Sequence, residues 1–225
     1  MRFKVLYFIQ RKMTQKEQHL SDLKQIRSLM EKSTRFLSLS GLSGVFIGVF
    51  ALFGAMAAYV YFDYSFYYGE TQDMIYFADS QTRNQFLLFV FTDALSVLLL
   101  ALSFGFYFTW RKAKRRGDKI WDNTFKRLLI NLFIPLVAGG LFGLILLYHG
   151  EVAILPAITL IFYGLALVNA SHYTLNDVRA LGILEIFLGL IAVFFIGYGL
   201  FFWAVGFGVL HIIYGTLMYF KYERN

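Results

Sequence analysis

Apolar and polar positions alternate along this chain in blocks rather than within elements. Apolar runs long enough to cross a bilayer occur at about 36–62, 84–110, 128–148, 152–171, 181–201 and 203–220. A hydrocarbon layer of about 30 Å requires roughly 20 helical residues, so each run predicts one transmembrane helix. The last two are separated by little more than Phe202, and Glu185 is the single formal charge between Ala180 and Phe220. One continuous helix there would be about 60 Å long, twice the hydrocarbon thickness, so a tight reversal is required. Gly197, Gly199, Gly206 and Gly208 are the residues expected to allow it. The predicted fold is all-α: a polytopic transmembrane bundle of six spans, with a cytoplasmic basic segment at 1–35, the membrane domain at 36–220 and a tail at 221–225.

Ahead of the first span, Thr14-Gln15-Lys16-Glu17 reads as a capping box opening a helix over about 15–35. Leu20, Leu23, Ile26 and Met30 recur at helical spacing while Lys16, Lys24, Arg27 and Lys32 cover much of the rest. This amphipathic helix is expected on the headgroups or against the 111–127 loop, with partner binding or dimerisation as the alternative. The apolar run at Val5–Ile9 is short and no small-residue cleavage site follows, so no signal peptide is read there. Met13 is a second candidate start.

Composition and charge then set the class and the direction. Hydrophobic residues make up 58% and charged residues 16%, too apolar for a water-facing surface. The absence of cysteine excludes a disulfide scaffold, thiol redox chemistry and thiolate metal sites. The net charge of +7 lies beside the spans rather than on a module that would bind nucleic acid. With six spans, 20 of 21 Lys and Arg fall on one side and only Arg83 on the other, which predicts both termini in the cytoplasm. The outer loop of about 63–83 holds Asp63, Glu70, Asp73 and Asp79 among tyrosines suited to the headgroup layer. Ligand binding is the alternative role for that loop.

Ionisable groups inside spans cost about 2.5–3.5 kcal/mol at the bilayer centre and are functional candidates by default. Asp93 in span two, Glu185 in span five and His211 in span six qualify. Asp93 is placed deepest, Glu185 is expected shallow enough to reach the interface, and His211 is a candidate partner for Asp93. No two His, Asp or Glu share a helix at metal-ligand spacing, so neither a metal nor a cofactor is expected. Ser40, Gly44 and Gly48, and again Gly139 and Gly143, are four apart and predict close helix packing. Pro135 is expected to kink span three, whereas Pro156 falls in the first turns of span four.

Gly41-Leu42-Ser43-Gly44 resembles the Gly-x-Ser-Gly motif of rhomboid proteases, which also have six core spans and a histidine in the last. Rhomboids carry it on their fourth span, not the first, and Ser43 and His211 are placed roughly 7–10 Å apart in depth. A nucleophile and its base must lie about 3 Å apart, so an intramembrane protease is not expected. Laying 41–59 beside 182–200 aligns Gly48 with Gly189 and Ala51 with Ala192, a match too cheap in apolar helices to establish an inverted repeat.

The segment Ile26-Arg27-Ser28-Leu29-Met30-Glu31-Lys32-Ser33-Thr34-Arg35-Phe36-Leu37-Ser38-Leu39-Ser40-Gly41-Leu42-Ser43-Gly44 resembles the opening of a family of bacterial six-span integral membrane proteins. That resemblance implies the bacterial inner membrane and carries no activity or catalytic residue. The expected function is therefore a non-enzymatic membrane protein with a structural, sensory or partner-regulating role. Its cytoplasmic cations Arg111, Lys112, Lys114, Arg115, Arg116, Lys119, Lys126 and Arg127 would meet anionic lipid or a protein partner, and a homo-oligomer is allowed. The alternative is a small proton-coupled transporter or channel using Asp93 with Glu185 or His211. A lipid-directed enzyme lacks the clustered polar residues such chemistry uses.

Overall fold

The computed structural model describes residues 35–36, 38–61, 80–117 and 121–224. The predicted amphipathic helix over 15–35 and nearly all of the 63–83 loop lie outside them. Among the described residues there is no strand. Helix α1 is Gly41–Tyr61, α2 is Ser80–Arg116, α3 is Asn123–Tyr148, α4 is Leu155–Ala170 with a 3-10 turn Ser171–Tyr173, and α5 is Asn176–Phe194. Helix α6, Gly199–Tyr222, changes pitch along its length: α-helical over Gly199–Trp203, π-helical over Ala204–Leu210 and α-helical over His211–Tyr222.

Helices α1, α2, α3, α4 with its 3-10 turn, and α6 are long and apolar enough to cross a membrane. Helix α5 is packed among them and long enough, but carries Asp177, Arg179 and Glu185. Large apolar side chains line the outside, Phe53, Leu88, Phe187 and Leu217 among them, while the interior is rich in small residues. That inversion of the soluble pattern is what a lipid-facing surface requires.

Close backbone contact sets the architecture. Gly44 and Gly215 face each other across α1 and α6, so that a Cβ added to Gly44 would sit 3.0 Å from the Cα of Gly215. Gly164 and Gly182 do the same across α4 and α5, each with a position for Cβ occupied by the other's carbonyl oxygen. The paired residues run in opposite order along each helix pair, so neighbours are antiparallel. Gly48 and Gly139 also lie close against a neighbouring helix, at Gly208 and Phe162. Two expected packing residues do not. Gly143 meets only Leu155 at ordinary contact distance, and Ser40 precedes α1, where its hydroxyl donates to Glu223 Oε2 at 3.2 Å.

Several boundaries move from their expected places. Helix α2 continues through the basic stretch to Arg116, because Arg, Lys and Ala are good helix formers, and ends where Gly117 takes φ of 72°. Helix α3 begins at Asn123, capped by Asp122, whose carboxylate accepts from the amide of Phe125 at 2.7 Å. The reversal between α5 and α6 falls at residues 195–198 with Gly197 at φ of 105°, not at Phe202. Gly206 and Gly208 are therefore not turn residues but lie inside the π-helix.

The ends of α2, α4 and α6 and the starts of α1, α3 and α5 gather at one end of the bundle. There the Phe36 amide donates to Tyr173 O at 2.7 Å, Thr174 Oγ1 to Phe36 O at 2.8 Å and Arg35 to Asn176 Oδ1 at 2.8 Å. Glu223 ties three segments: its carboxylate accepts from the first amide of α1, from Ser40 and from Lys112, which also donates to Leu39 O at 2.6 Å. Lys112 is accordingly buried, and the expectation that it meets lipid or a partner is corrected: it braces the bundle.

Pro135 sits inside α3 and has no amide to give to the carbonyl of Asn131. That carbonyl instead accepts from Asn169 Nδ2 of α4 at 2.9 Å. Removing the amide by Asn169→Leu is expected to cost about 1–3 kcal/mol of stability, the penalty of a buried orphan acceptor. In the Pro135→Ala background, where a backbone N–H can return, the same substitution should cost much less. Unfolding in detergent micelles measures this cycle, and equal losses in both backgrounds would refute the assignment.

Candidate functional site

The buried face of α5 consists of Val178, Leu181, Gly182, Glu185, Gly189 and Ala192, a stripe at spacings of three and four. Glu185 belongs to this stripe, so helical periodicity carries its side chain into the bundle. It lies nine residues into α5, about 13 Å along the axis, and is fully buried. The expectation that it reaches the interface is therefore corrected: the helix starts at Asn176 and points Glu185 away from the surface.

Glu185 fits because Gly206 of α6 has no side chain. A Cβ there would lie 2.5 Å from Glu185 Oε2 and 2.4 Å from Leu160 Cδ2. Among the described residues neither carboxylate oxygen has a hydrogen-bond partner. The imidazole of His211 lies beside it, with Nδ1 3.4 Å from Oε1, close enough for electrostatic attraction. His211 is itself buried.

Both ring nitrogens of His211 have closer partners. Nδ1 lies 3.0 Å from the carbonyl oxygen of Gly206 and Nε2 lies 2.8 Å from the Tyr163 hydroxyl on α4. A carbonyl can only accept, so the network assigns the proton to Nδ1 and makes neutral Nε2 the acceptor from Tyr163 O–H. Trp203, Phe207 and His211 form a ladder along α6, with ring centroids 5.0 and 6.0 Å apart, and Tyr163 packs on Phe207 at 4.9 Å. The centre thus draws one polar side chain from each of α4, α5 and α6. Tyr163 was not singled out by sequence reasoning, since nothing distinguishes it from the other 14 tyrosines except a histidine 48 positions away.

Asp93 is elsewhere. It is half-buried on α2 against α1, where a Cβ on Gly54 would meet its carboxylate oxygens at 3.5 and 3.6 Å. Its carboxylate has no hydrogen-bond or ion-pair partner among the described residues. The expected pairing of Asp93 with Glu185 or His211 is corrected to a pairing of Glu185 with His211.

The Ser43 and His211 comparison changes as well. Gly44 lies beside the backbone oxygen of His211, so the expected depth gap is not there. The side chains nevertheless point apart: Ser43 Oγ donates to Ser40 O, and the imidazole is engaged by Tyr163 and Gly206. Among the described residues no three His, Asp or Glu groups come together as a metal site.

At the end of the bundle, Arg111, Lys114, Arg115, Arg116, Lys126 and Arg127 are exposed; Lys119 lies outside the described residues. Lys114 rests over the Trp110 ring at 5.3 Å. Trp121 is 65% exposed beside them.

No protein-family profile matches the chain, and no curated protein or solved structure shows significant similarity to it. The reading of this site rests on its own geometry.

Because the Gly206 niche is filled on both sides, Gly206→Ala is expected to force Glu185 and Leu160 outward and cost about 1–3 kcal/mol. Gly140→Ala, with open space around its Cβ position, is the control and should be near neutral. Thermal unfolding of both variants in the same detergent checks this, and comparable losses would sink the steric argument.

Proposed function

We propose that this chain is a multi-pass inner-membrane protein that binds and releases a proton at Glu185, within a six-span bundle whose chain termini both face the cytoplasm, and that this proton is coupled to transport. The carrying observation is a fully buried carboxyl group with neither oxygen hydrogen-bonded, beside an imidazole, at the meeting of three apolar helices. A carboxyl in apolar surroundings is expensive unless paired, and side chains retained at that cost inside membranes mark ion and proton paths. The π-helix beside it supports the same reading, since such segments concentrate at functional sites. The role is read as non-enzymatic: Ser43 Oγ donates to Ser40 O, and the two ring nitrogens of His211 are engaged by the Tyr163 hydroxyl and the Gly206 carbonyl.

Proton movement in reconstituted vesicles, followed with a trapped pH-sensitive dye, tests this. Glu185→Gln should lower the flux at least about tenfold, equivalent to roughly 1.4 kcal/mol or more, while Asp93→Asn leaves it unchanged. Undiminished flux in Glu185→Gln, or none in the wild type, would refute the proposal.

A second reading, partner regulation or lipid anchoring at the cationic end, is favoured by a separate observation. Arg111, Arg115, Lys126 and Arg127 are exposed and have no carboxylate partner among the described residues, and Trp110 and Trp121 place headgroup-seeking rings beside them. Cations near an anionic leaflet gain about 1 kcal/mol each. The triple change Arg111→Gln, Lys114→Gln and Arg115→Gln should reduce preference for phosphatidylglycerol over phosphatidylcholine by about tenfold or more in a lipid-competition assay. Lys112→Gln should lower stability and leave that preference intact; the reverse pattern would refute this reading.

A further inference from the structure

His211 Nδ1 carries one proton and faces two acceptors. It lies 3.0 Å from the carbonyl oxygen of Gly206 and 3.4 Å from Glu185 Oε1, so the bond goes to Gly206. Gly206 is five residues before His211 and lies within the π-helix, so this side-chain bond braces the wide turn from inside. An ionised carboxylate is a stronger acceptor than a peptide carbonyl, with bonds about twice as strong. The difference between the two acceptors is only a few tenths of an ångström in distance.

We infer that Glu185 and the Gly206 carbonyl compete for the Nδ1–H of His211, so that loss of the proton from Glu185 moves this hydrogen bond off the π-helix and loosens residues 204–210. The inference rests on the proton-binding reading of Glu185 and adds the moving part. With Glu185 carrying the proton, His211 holds Gly206 and the described arrangement results. With Glu185 ionised, the imidazole turns its Nδ1–H to Oε1, and the Gly206 carbonyl loses this side-chain donor. The one bond broken is the O–H of Glu185, whose proton passes to water; His211 and Tyr163 keep theirs.

The packing transmits that change. Gly206 faces Glu185, Leu160 and Leu188, while Gly208, two residues on, faces α1, with Leu52 and the Gly48 carbonyl against its Cβ position. The π-helix is therefore a wedge between the α4–α5 pair and α1. A change of pitch in it alters the Gly48 and Gly208 contact that seats α6 on α1. Among the described residues the ionisable groups at Glu185 are His211 from α6 and, bonded to it, Tyr163 from α4, while Leu160 and Leu188 share the niche at Gly206. Helix α1 brings none to this level, its tyrosines Tyr59 and Tyr61 lying at its far end.

Two readouts on the full-length chain in lipid nanodiscs separate the inference from the reading beneath it. Difference infrared spectroscopy reports the protonated carboxyl of Glu185, identified by its loss in Glu185→Gln. Amide exchange over 204–210, corrected for the intrinsic pH dependence of exchange, reports the π-helix. Exchange should accelerate about fivefold as the infrared band disappears, with one shared midpoint, corresponding to the difference of about 1 kcal/mol between charged and neutral acceptors. In Glu185→Gln, which folds with an uncharged isostere, the exchange should be independent of pH. An infrared band that titrates while exchange at 204–210 stays constant overturns the inference and leaves the proton site standing. Absence of any titrating band overturns both.

Discussion

Inside a bilayer there is no water to satisfy a stray polar group and no hydrophobic gain in pressing one apolar helix on another, so helices must meet through close van der Waals contact. The Gly164 and Gly182 contact and the Gly44 and Gly215 contact supply it in this chain. They bring α4 to α5 and α1 to α6 at backbone distance, and Tyr163, Glu185 and His211 are carried by helices that those two seams join. Glu185 lies in the same stripe as Gly182 and Gly189. Packing α5 by its glycines therefore buries the carboxylate as a geometric consequence, and Gly206 on α6 provides the gap that accepts it.

The membrane spans were legible because hydrocarbon thickness imposes a length and forbids charge, two constraints that act on single residues. The six apolar runs fall largely in helices, five of them long and apolar enough to cross a membrane. Their ends were less legible, since Lys112 to Arg116 continue a helix as readily as Leu does, and only Gly117 with its positive φ stops it. Gly206 and Gly208 show the same ambiguity from the other direction. A glycine in sequence announces either a turn or a close approach, and only its neighbours in space decide which; Gly197 turned the chain, while the other two let Glu185 and Leu52 in.

The candidate site was legible as a set of expensive residues but not as a constellation. Glu185 and His211 stand out because ionisable groups in apolar runs are rare, and Asp93 stands out on the same ground. Which of them meet depends on helix rotation, and that is a property of the opposing faces. The periodic small residues of α5 settle the direction of Glu185; α2 has no such stripe, with only Phe86, Thr109, Lys112 and Ala113 buried along 37 residues, so nothing in it fixes where Asp93 points. Tyr163 contributes the third polar group without any sequence signal, because tyrosines are common in this chain and only contact with His211 distinguishes this one.

The contacts around Glu223 and Asp177 show how the bundle would hold a movable element without coming apart. Glu223 fixes the end of α6 to the start of α1 and to Lys112 of α2, while Lys221 and Tyr222 both donate to Asp177 at the start of α5, at 3.0 and 2.7 Å. The segment His211–Tyr222 is thereby held at its far end by several polar contacts, and at its near end by the bond from its first residue to Gly206. A helix anchored in this way cannot answer a change at Glu185 by sliding as a whole. The strain must be taken up within residues 204–210, where the helix is already wide and where two glycines leave the backbone closest to its neighbours. A leucine at position 185 would remove the buried carboxyl and its desolvation cost, so stability alone does not account for the glutamate; the adjacency of an ionisable group, a two-acceptor histidine and a π-helix does.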